Sequence, residues 1–171
     1  ATPLARLNVA DRMPTPKAEE AYQEMYATLD RKTCKALLAN HWARLVEMVQ
    51  NAEMLERYCA DSEITSDQFR VIPKRITGQG VGIVEAMRGT LTHHYTCDDK
   101  GICTSANLIV GTTNNNAPIQ MVTKKVARAL IQPGREPDQG ILNMVEMAFR
   151  AFDPCYSCAT HSLPGQMPLV V

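Results

Sequence analysis

No apolar run in this chain approaches the roughly 18 residues that a membrane-spanning helix needs, and no basic-then-apolar secretory signal opens it. An excess of charge is also missing. Lys and Arg total 18, Asp and Glu total 18, and the formal net charge is zero. That balance argues against a dedicated nucleic-acid binder and against a polybasic membrane anchor. Six cysteines among 171 residues are too few for a disulfide scaffold. Internal repeats and clear linkers are absent as well. With 45% apolar and 21% charged residues, disorder, collagen and low-complexity fibre are excluded.

What is present suits one ordinary domain, and a chain of this size buries about 70% of its unfolded surface on folding. Thr15-Pro16 reads as an N-cap followed by proline at the first helical position, with Glu19 and Glu20 in the first turn. Ala21, Tyr22, Met25, Tyr26 and Leu29 continue at helical spacing, which predicts a helix over 16–30. A longer helix is expected over 36–59, with Leu38, His41, Trp42, Leu45, Met48, Val49, Ala52, Leu55 and Cys59 as its apolar stripe. On such a stripe His41 reads as a core histidine. The polar connection from Asp61 to Gly80 offers one short strand at Phe69–Ile72. Thr90–Thr96 and Ile102–Val110 flank Asp98-Asp99-Lys100-Gly101 and predict a β-hairpin. Pro118 opens a third helix that ends before Pro133-Gly134, and Asp138 caps a fourth that Asp153-Pro154 stops. The expected architecture is a single unit over 1–171, α+β and helix-dominated, with Ser162–Val171 as a C-terminal extension.

Chemistry concentrates in Cys155-Tyr156-Ser157-Cys158-Ala159-Thr160-His161. Two thiolates three positions apart can turn onto one metal ion, and an imidazole three further on can reach the same ion or a neighbour. A lone C-x2-C is half of a tetrahedral site, and Cys34, Cys59, Cys97 and Cys103 are scattered rather than paired with it. The spacing leaves open a soft-metal pair, a redox dithiol and two buried unliganded cysteines. Redox exchange is disfavoured because the pair follows a helix C-terminus beside Asp153, where negative potential raises a thiol pKa. Elsewhere the bland readings hold. Gly78-x-Gly80-x-Gly82 lacks the last glycine of a dinucleotide loop. Glu85 and Arg88 read as a surface ion pair. His93 and His94 point to opposite strand faces, and Lys124, Lys125 and Arg128 form a solvated helix face.

Three motifs together resemble a known family. Asp153-Pro154-Cys155-x-x-Cys158-x-x-His161 is similar to the C-terminal signature of nickel–iron hydrogenase large subunits. Glu85-Ala86-x-Arg88-Gly89-Thr90-Leu91 resembles their arginine motif, and Val110-Gly111-Thr112-Thr113-Asn114-Asn115 resembles the loop that cradles the active-site iron. The order is the family's, and the resemblance runs from Leu7-Asn8-Val9 to Pro168-Leu169. Residues 143–150 and 161–168 place it nearest the cytoplasmic, methyl-viologen-reducing type that is deazaflavin-independent and linked to heterodisulfide reductase in methanogenesis.

The resemblance implies that Cys155 is a terminal nickel thiolate and that Cys158 bridges nickel and iron, with carbon monoxide and cyanide completing the iron. Arg88, Thr112 and Thr113 would hold the diatomic ligands. Arg88 would also stand over the open coordination position where dihydrogen is split, paired with Asp153. His161 would lie by a C-terminal magnesium site. Electrons would leave through iron–sulfur clusters of a small subunit.

The departures are specific. Met87 stands where the family has proline, which removes a rigid φ. The N-terminal C-x2-C that supplies the other two nickel thiolates is absent, as is the proton-accepting glutamate before it. Three explanations stay open: a partner chain supplies that half, the chain is a segment of a larger protein, or the metal site has decayed. A start at Ala1 suggests a processed chain or a piece. The retained Ser162–Val171 implies an unprocessed precursor or a variant that matures without cleavage. Two other readings remain beside the enzyme: a structural or electron-transfer scaffold without the nickel–iron centre, and a zinc-binding interaction module using Cys155, Cys158 and His161.

Overall fold

Thr2 caps the first helix. In the computed structural model, which describes residues 2–30, 33–134 and 136–159, Thr2 Oγ1 accepts the Ala5 N–H at 3.3 Å. Pro3 takes the first turn, where its missing N–H costs nothing, and α1 runs Pro3–Val9. Helix α2 spans Pro16–Thr28 and α3 spans Ala39–Cys59. Thr15 is the N-cap residue of α2, but its side chain makes no cap bond to the helix. Glu53 of α3 does that work, accepting the Lys17 and Ala18 N–H groups at 3.2 and 3.0 Å. Burial pushes the Glu53 pKa up, but the Thr15 side chain and these backbone bonds outweigh it and hold the carboxyl below its ordinary value.

Helices α1, α2 and α3 enclose a core of Leu4, Leu7, Met13, Tyr22, Met25, Cys34, Ala39, Ala43 and Val46. Each of its large apolar side chains contributes about 1.5–3 kcal/mol by leaving water. Arg6 clamps α1 to α3 through a two-pronged pair with Glu47, both contacts at 2.7 Å. The core face of α3 differs from the expected stripe. Ala39, Asn40, Ala43 and Val46 are buried, whereas Leu38, Leu45, Met48 and Leu55 are at least half exposed. Trp42 and Val49 of that stripe do pack against the core, while small residues let the three helices approach and Leu38, Leu45, Met48 and Leu55 face outward. His41 goes with them: it is exposed, its Nδ1 lying 3.2 Å from Arg44 Nη1, and is not a core histidine.

Asn8 ties this core together. Its Oδ1 accepts the Tyr26 hydroxyl at 2.8 Å and the Cys34 N–H at 3.1 Å, while its Nδ2 donates to the Cys34 carbonyl at 2.8 Å. Burial, with Tyr22 and Cys34 adding to it, pushes the Tyr26 pKa from 10.0 to about 12. The unfolded chain therefore loses this proton before the folded one does. Stability from this group is whole below pH 10 and falls as the pH rises towards 12. An alkaline titration should show one tyrosine ionising together with the loss of far-ultraviolet helix signal; five tyrosines all titrating near their ordinary value would contradict this.

Strands β1 (Gln79–Ala86), β2 (Gly89–Cys97) and β3 (Cys103–Ile109) form an antiparallel sheet in that order. The expected hairpin is β2–β3. Phe69–Ile72 is not a strand; Pro73 has no N–H to give a ladder, and the pairing falls instead on Gln79–Ala86, an edge position that tolerates Gly80 and Gly82. Helices α4 (Asn116–Leu130) and α5 (Gln139–Arg150) pack on each other. Asp138 caps α5 as expected, its Oδ1 accepting the Ile141 N–H at 2.9 Å. A single turn, α6 (Tyr156–Ala159), follows, and Tyr156 meets Phe149 edge-on with ring centres 6.3 Å apart. By compactness, Thr2–Gly82 with His94–Asn107 make one unit, and Ile83–His93 with Leu108–Val171 make another. Among the described residues no helix is long and apolar enough to cross a membrane.

Candidate metal centre

Three separate stretches of one unit meet around Arg88. The first is the two-residue turn Met87-Arg88 that joins β1 to β2. The second is the 3-10 turn Gly111–Asn115 that follows β3. The third is the segment after α5, from Asp153 to Ala159. Each is placed by its own local chemistry.

Asn115 fixes the first turn from beneath. Its side chain is 1% exposed, and its Nδ2 donates to the Arg88 carbonyl at 2.6 Å. Asn114 does the same for the start of β2, donating to the Thr90 carbonyl at 2.7 Å. Two glycines let these turns touch. Gly89 has φ 150°, a conformation that side chains disfavour. A Cβ on Gly111 would stand 3.2 Å from Gly89 N and 3.3 Å from its carbonyl oxygen. Both are backbone atoms that cannot swing aside. Gly111→Ala should therefore cost about 1–3 kcal/mol by overpacking, read as a lowered thermal midpoint; an unchanged midpoint would show that the turns can separate freely.

Asp153 has φ 50°, the left-handed region that a non-glycine residue enters only when neighbours hold it there. Arg88 is that neighbour. Its Nε donates to the Asp153 carbonyl at 2.7 Å and lies 3.2 Å from Asp153 Oδ2. Both side chains are about one-third exposed, so solvent limits the ion pair to under ~1 kcal/mol. Its effect is orientation: the guanidinium is aimed and the chain entering Cys155 is turned. Met87, in the position expected to be altered by the loss of proline, is 61% exposed in the same turn.

Thr112 joins the second stretch to the third. It is 1% exposed, and its Oγ1 accepts the Cys155 N–H at 3.1 Å. With that oxygen already used as an acceptor, the Thr112 hydroxyl proton remains to be donated elsewhere. Thr113 shares the turn and donates its N–H to the Val110 carbonyl at 3.0 Å. Cys155 and Cys158 follow, with Cα atoms 5.3 Å apart and their sulfurs joined as a disulfide. Cys155 is half-buried and Cys158 exposed.

The structure thus brings together Arg88, Thr112, Thr113, Asp153, Cys155 and Cys158. His161 lies outside the described residues. The cysteines follow the C-terminus of α5, as their spacing after Asp153-Pro154 suggests, but Cys155 also leads into the single turn of α6. Asn114 and Asn115 carry more of the site than a loop position implies. Their sequence signal is the run Asn114-Asn115-Asn116 directly after Gly-Thr-Thr, three amides beside a helix start.

A nickel–iron group asks for soft thiolates, a nearby cation and hydrogen-bond donors for its small ligands. This site supplies two sulfurs in one turn, available as thiolates once their disulfide is reduced, an oriented guanidinium, and a buried hydroxyl with a proton to give. The residues fit one side of such a group. Among the described residues no set of three His, Cys, Asp or Glu gathers around a common point. The other four cysteines, Cys34, Cys59, Cys97 and Cys103, belong to the other unit.

Comparison with known proteins shows the family. The nickel-dependent hydrogenase family model matches residues 5–161. The chain is 49% identical over 169 residues to an F420-non-reducing hydrogenase iron-sulfur subunit of Archaeoglobus profundus, covering 99% of this chain and 35% of that protein. It is 43% identical over 171 residues to the NAD-reducing hydrogenase HoxS subunit beta of Cupriavidus necator, again 99% of this chain and 35% of the relative. A crystal structure of an NAD+-reducing nickel–iron hydrogenase in its dihydrogen-reduced state superposes with a TM-score of 0.84 at 43% identity, over 94% of this chain and 35% of that one. The chain spans about a third of the length of these relatives, corresponding to the C-terminal part of the large subunit. On its sequence, its fold and the residues gathered around Arg88, the chain belongs to the nickel-dependent hydrogenase family.

Proposed function

We propose that this chain supplies the C-terminal part of a nickel–iron hydrogenase large subunit whose reaction is the reversible heterolytic cleavage of dihydrogen. The observation that carries the reading is the meeting of Arg88, Thr112 and the Cys155–Cys158 turn in one unit. Cys155 and Cys158, as thiolates, would hold the nickel–iron group. When bound, that group supplies the Lewis acidity on which dihydrogen is polarised.

The chain's own residues do the rest. Thr112, already accepting from the Cys155 N–H, fixes the direction of that cysteine and keeps a hydroxyl proton that would be free to donate to the bound group, with Thr113 beside it. Arg88 stays protonated throughout and places positive charge over the site. Asp153 and Asn115 position it, the first at Nε and the second at its carbonyl. A thiolate sulfur, Cys158 Sγ, is the basic atom this turn offers to a departing proton. The family resemblance implies a proton-accepting glutamate before the N-terminal cysteines, which the chain or segment carrying that motif would supply.

Finer features of the same reading are carbon monoxide and cyanide on the iron, magnesium by His161, and iron–sulfur clusters in a small partner subunit. The other two thiolates would come from a chain or segment carrying an N-terminal C-x2-C. A link to heterodisulfide reductase and a cytoplasmic setting follow from the resemblance of residues 143–150 and 161–168, and relatives named as F420-non-reducing hydrogenases support that type. The test is dihydrogen-dependent reduction of a viologen dye by the assembled complex. Uptake that requires this chain supports the reading, and an assembled, metal-loaded complex without uptake overturns it.

A second reading has its own observation. Cys155 and Cys158 are joined as a disulfide, which suits a hydrogenase-like scaffold whose pair holds no metal. In such a scaffold the pair would stay linked in the purified complex under non-reducing conditions.

A further inference from the structure

The turn between β2 and β3 sets an unusually close register for two cysteines that the metal centre does not use. Asp98 N–H donates to the Ile102 carbonyl at 3.0 Å, and Gly101 N–H returns to the Asp98 carbonyl at 3.0 Å. Asp98 Oδ1 also accepts the Lys100 and Ile102 N–H groups, both at 2.9 Å. Asp98 and Ile102 are therefore a hydrogen-bonded pair, and Cys97 stands directly opposite Cys103. One residue further along, Thr96 and Thr104 are also opposite, their Oγ1 atoms 3.1 Å apart. The Cys97 N–H points away from β3, to the Gly78 carbonyl at 2.7 Å.

That pattern makes Cys97 and Cys103 a non-hydrogen-bonded cross-strand pair, in which facing Cα atoms are about 4.5 Å apart and both side chains leave the same face of the sheet. A disulfide requires Cα atoms within about 4.4–6.8 Å. Both thiols are free, Cys103 exposed and Cys97 half-buried. The Cys103 thiol donates to the Ser105 carbonyl at 3.3 Å, a weak bond that rotation about Cα–Cβ breaks.

The geometry points to Cys97 and Cys103 as a reversible redox site, a dithiol that exchanges with a low-molecular-weight disulfide. The exposed Cys103 thiolate attacks one sulfur of that disulfide and expels the first small thiolate. Cys97, deprotonated in turn, attacks the Cys103 sulfur of the mixed disulfide and expels the second. Two protein thiols lose two protons and two electrons, and one small disulfide becomes two thiols. The link closes only the turn 98–102, so it pins the strand register and changes global stability less than a long-range bridge. A small dithiol reverses it.

Lys100 lies between the two cysteines, so peptide mapping reads the link directly. The reduced full chain is incubated with oxidised glutathione, alkylated and digested with trypsin. The expected product is Gly89–Lys100 joined to Gly101–Lys124, abolished by dithiothreitol. In Cys97→Ser the linked species is lost and glutathione stays on Cys103, because nothing resolves the mixed disulfide. Glutathione retained separately on both Cys97 and Cys103 of the unaltered chain, or Cys103 joined to Cys59 instead, would overturn the assignment.

Discussion

Cys158→Ser will leave the fold intact and remove the metal. Cys158 is exposed in a single helical turn, so relative to the reduced Cys155–Cys158 pair its oxygen analogue costs stability no more than about 0.5 kcal/mol. The same change replaces a soft thiolate by a hard, protonated hydroxyl that cannot bridge two late transition metals. Altering a residue that only supports a metal ligand costs about 10–100-fold in affinity or activity, and losing a bridging ligand exceeds that. In the assembled complex, dihydrogen uptake should fall by more than about 100-fold, with nickel lost in parallel and the thermal midpoint nearly unchanged. Full uptake by the Cys158→Ser complex would remove this cysteine from the centre. Loss of uptake with nickel and iron still bound would place it in the proton path rather than among the ligands.

Arg88→Lys should separate chemistry from assembly. The arginine makes both of its contacts to Asp153 through Nε, at 2.7 Å to the carbonyl and 3.2 Å to the carboxylate. A lysine has no Nε branch, so its ammonium cannot hold Asp153 and also face the metal position. The Asn115 bond is to the Arg88 backbone carbonyl and survives the change, so the turn keeps its shape. Metal content should therefore be retained while turnover falls about 100-fold, the scale of losing one oriented donor at a reacting centre. Turnover equal to the unaltered complex would mean that the guanidinium serves only to hold Asp153. Asp153→Asn provides the complement: the carbonyl contact persists, the charge does not, and a smaller loss is expected.

The parts of this fold that are legible in sequence are those governed by local chemistry. Asp138 reads as a cap and is one, and Thr90–Thr96 with Ile102–Val110 read as a hairpin because Asp98 and Gly101 build its turn. The cysteine turn and the arginine motif are singled out by the family resemblance, since spacing alone leaves the cysteine pair open and reads Glu85 and Arg88 as a surface ion pair. What is not legible depends on partners distant in sequence. The buried face of α3 is chosen by how closely α1 and α2 approach, which favours Ala39 and Ala43 over Leu45 and Met48. Likewise Glu53 rather than Thr15 caps α2, from 35 residues away. Asn115 shows the same limit at the site itself: nothing local says that its amide will meet the Arg88 carbonyl, 27 residues earlier.

The outward stripe of α3 and the two-thiolate turn share a physical feature. Both are surfaces that are only partly satisfied by this chain, and the chain spans about a third of the length of its relatives. In the proposed reading, the two cysteines and the oriented arginine form one side of a shared metal centre. Metal content is therefore the decisive quantity. Elemental analysis of the complex purified with this chain should give nickel and iron bound at the centre in equal amounts, with nickel lost when Cys155 and Cys158 are both replaced by serine. Zinc as the only transition metal, or nickel retained without these two cysteines, would contradict a nickel–iron centre held by this turn.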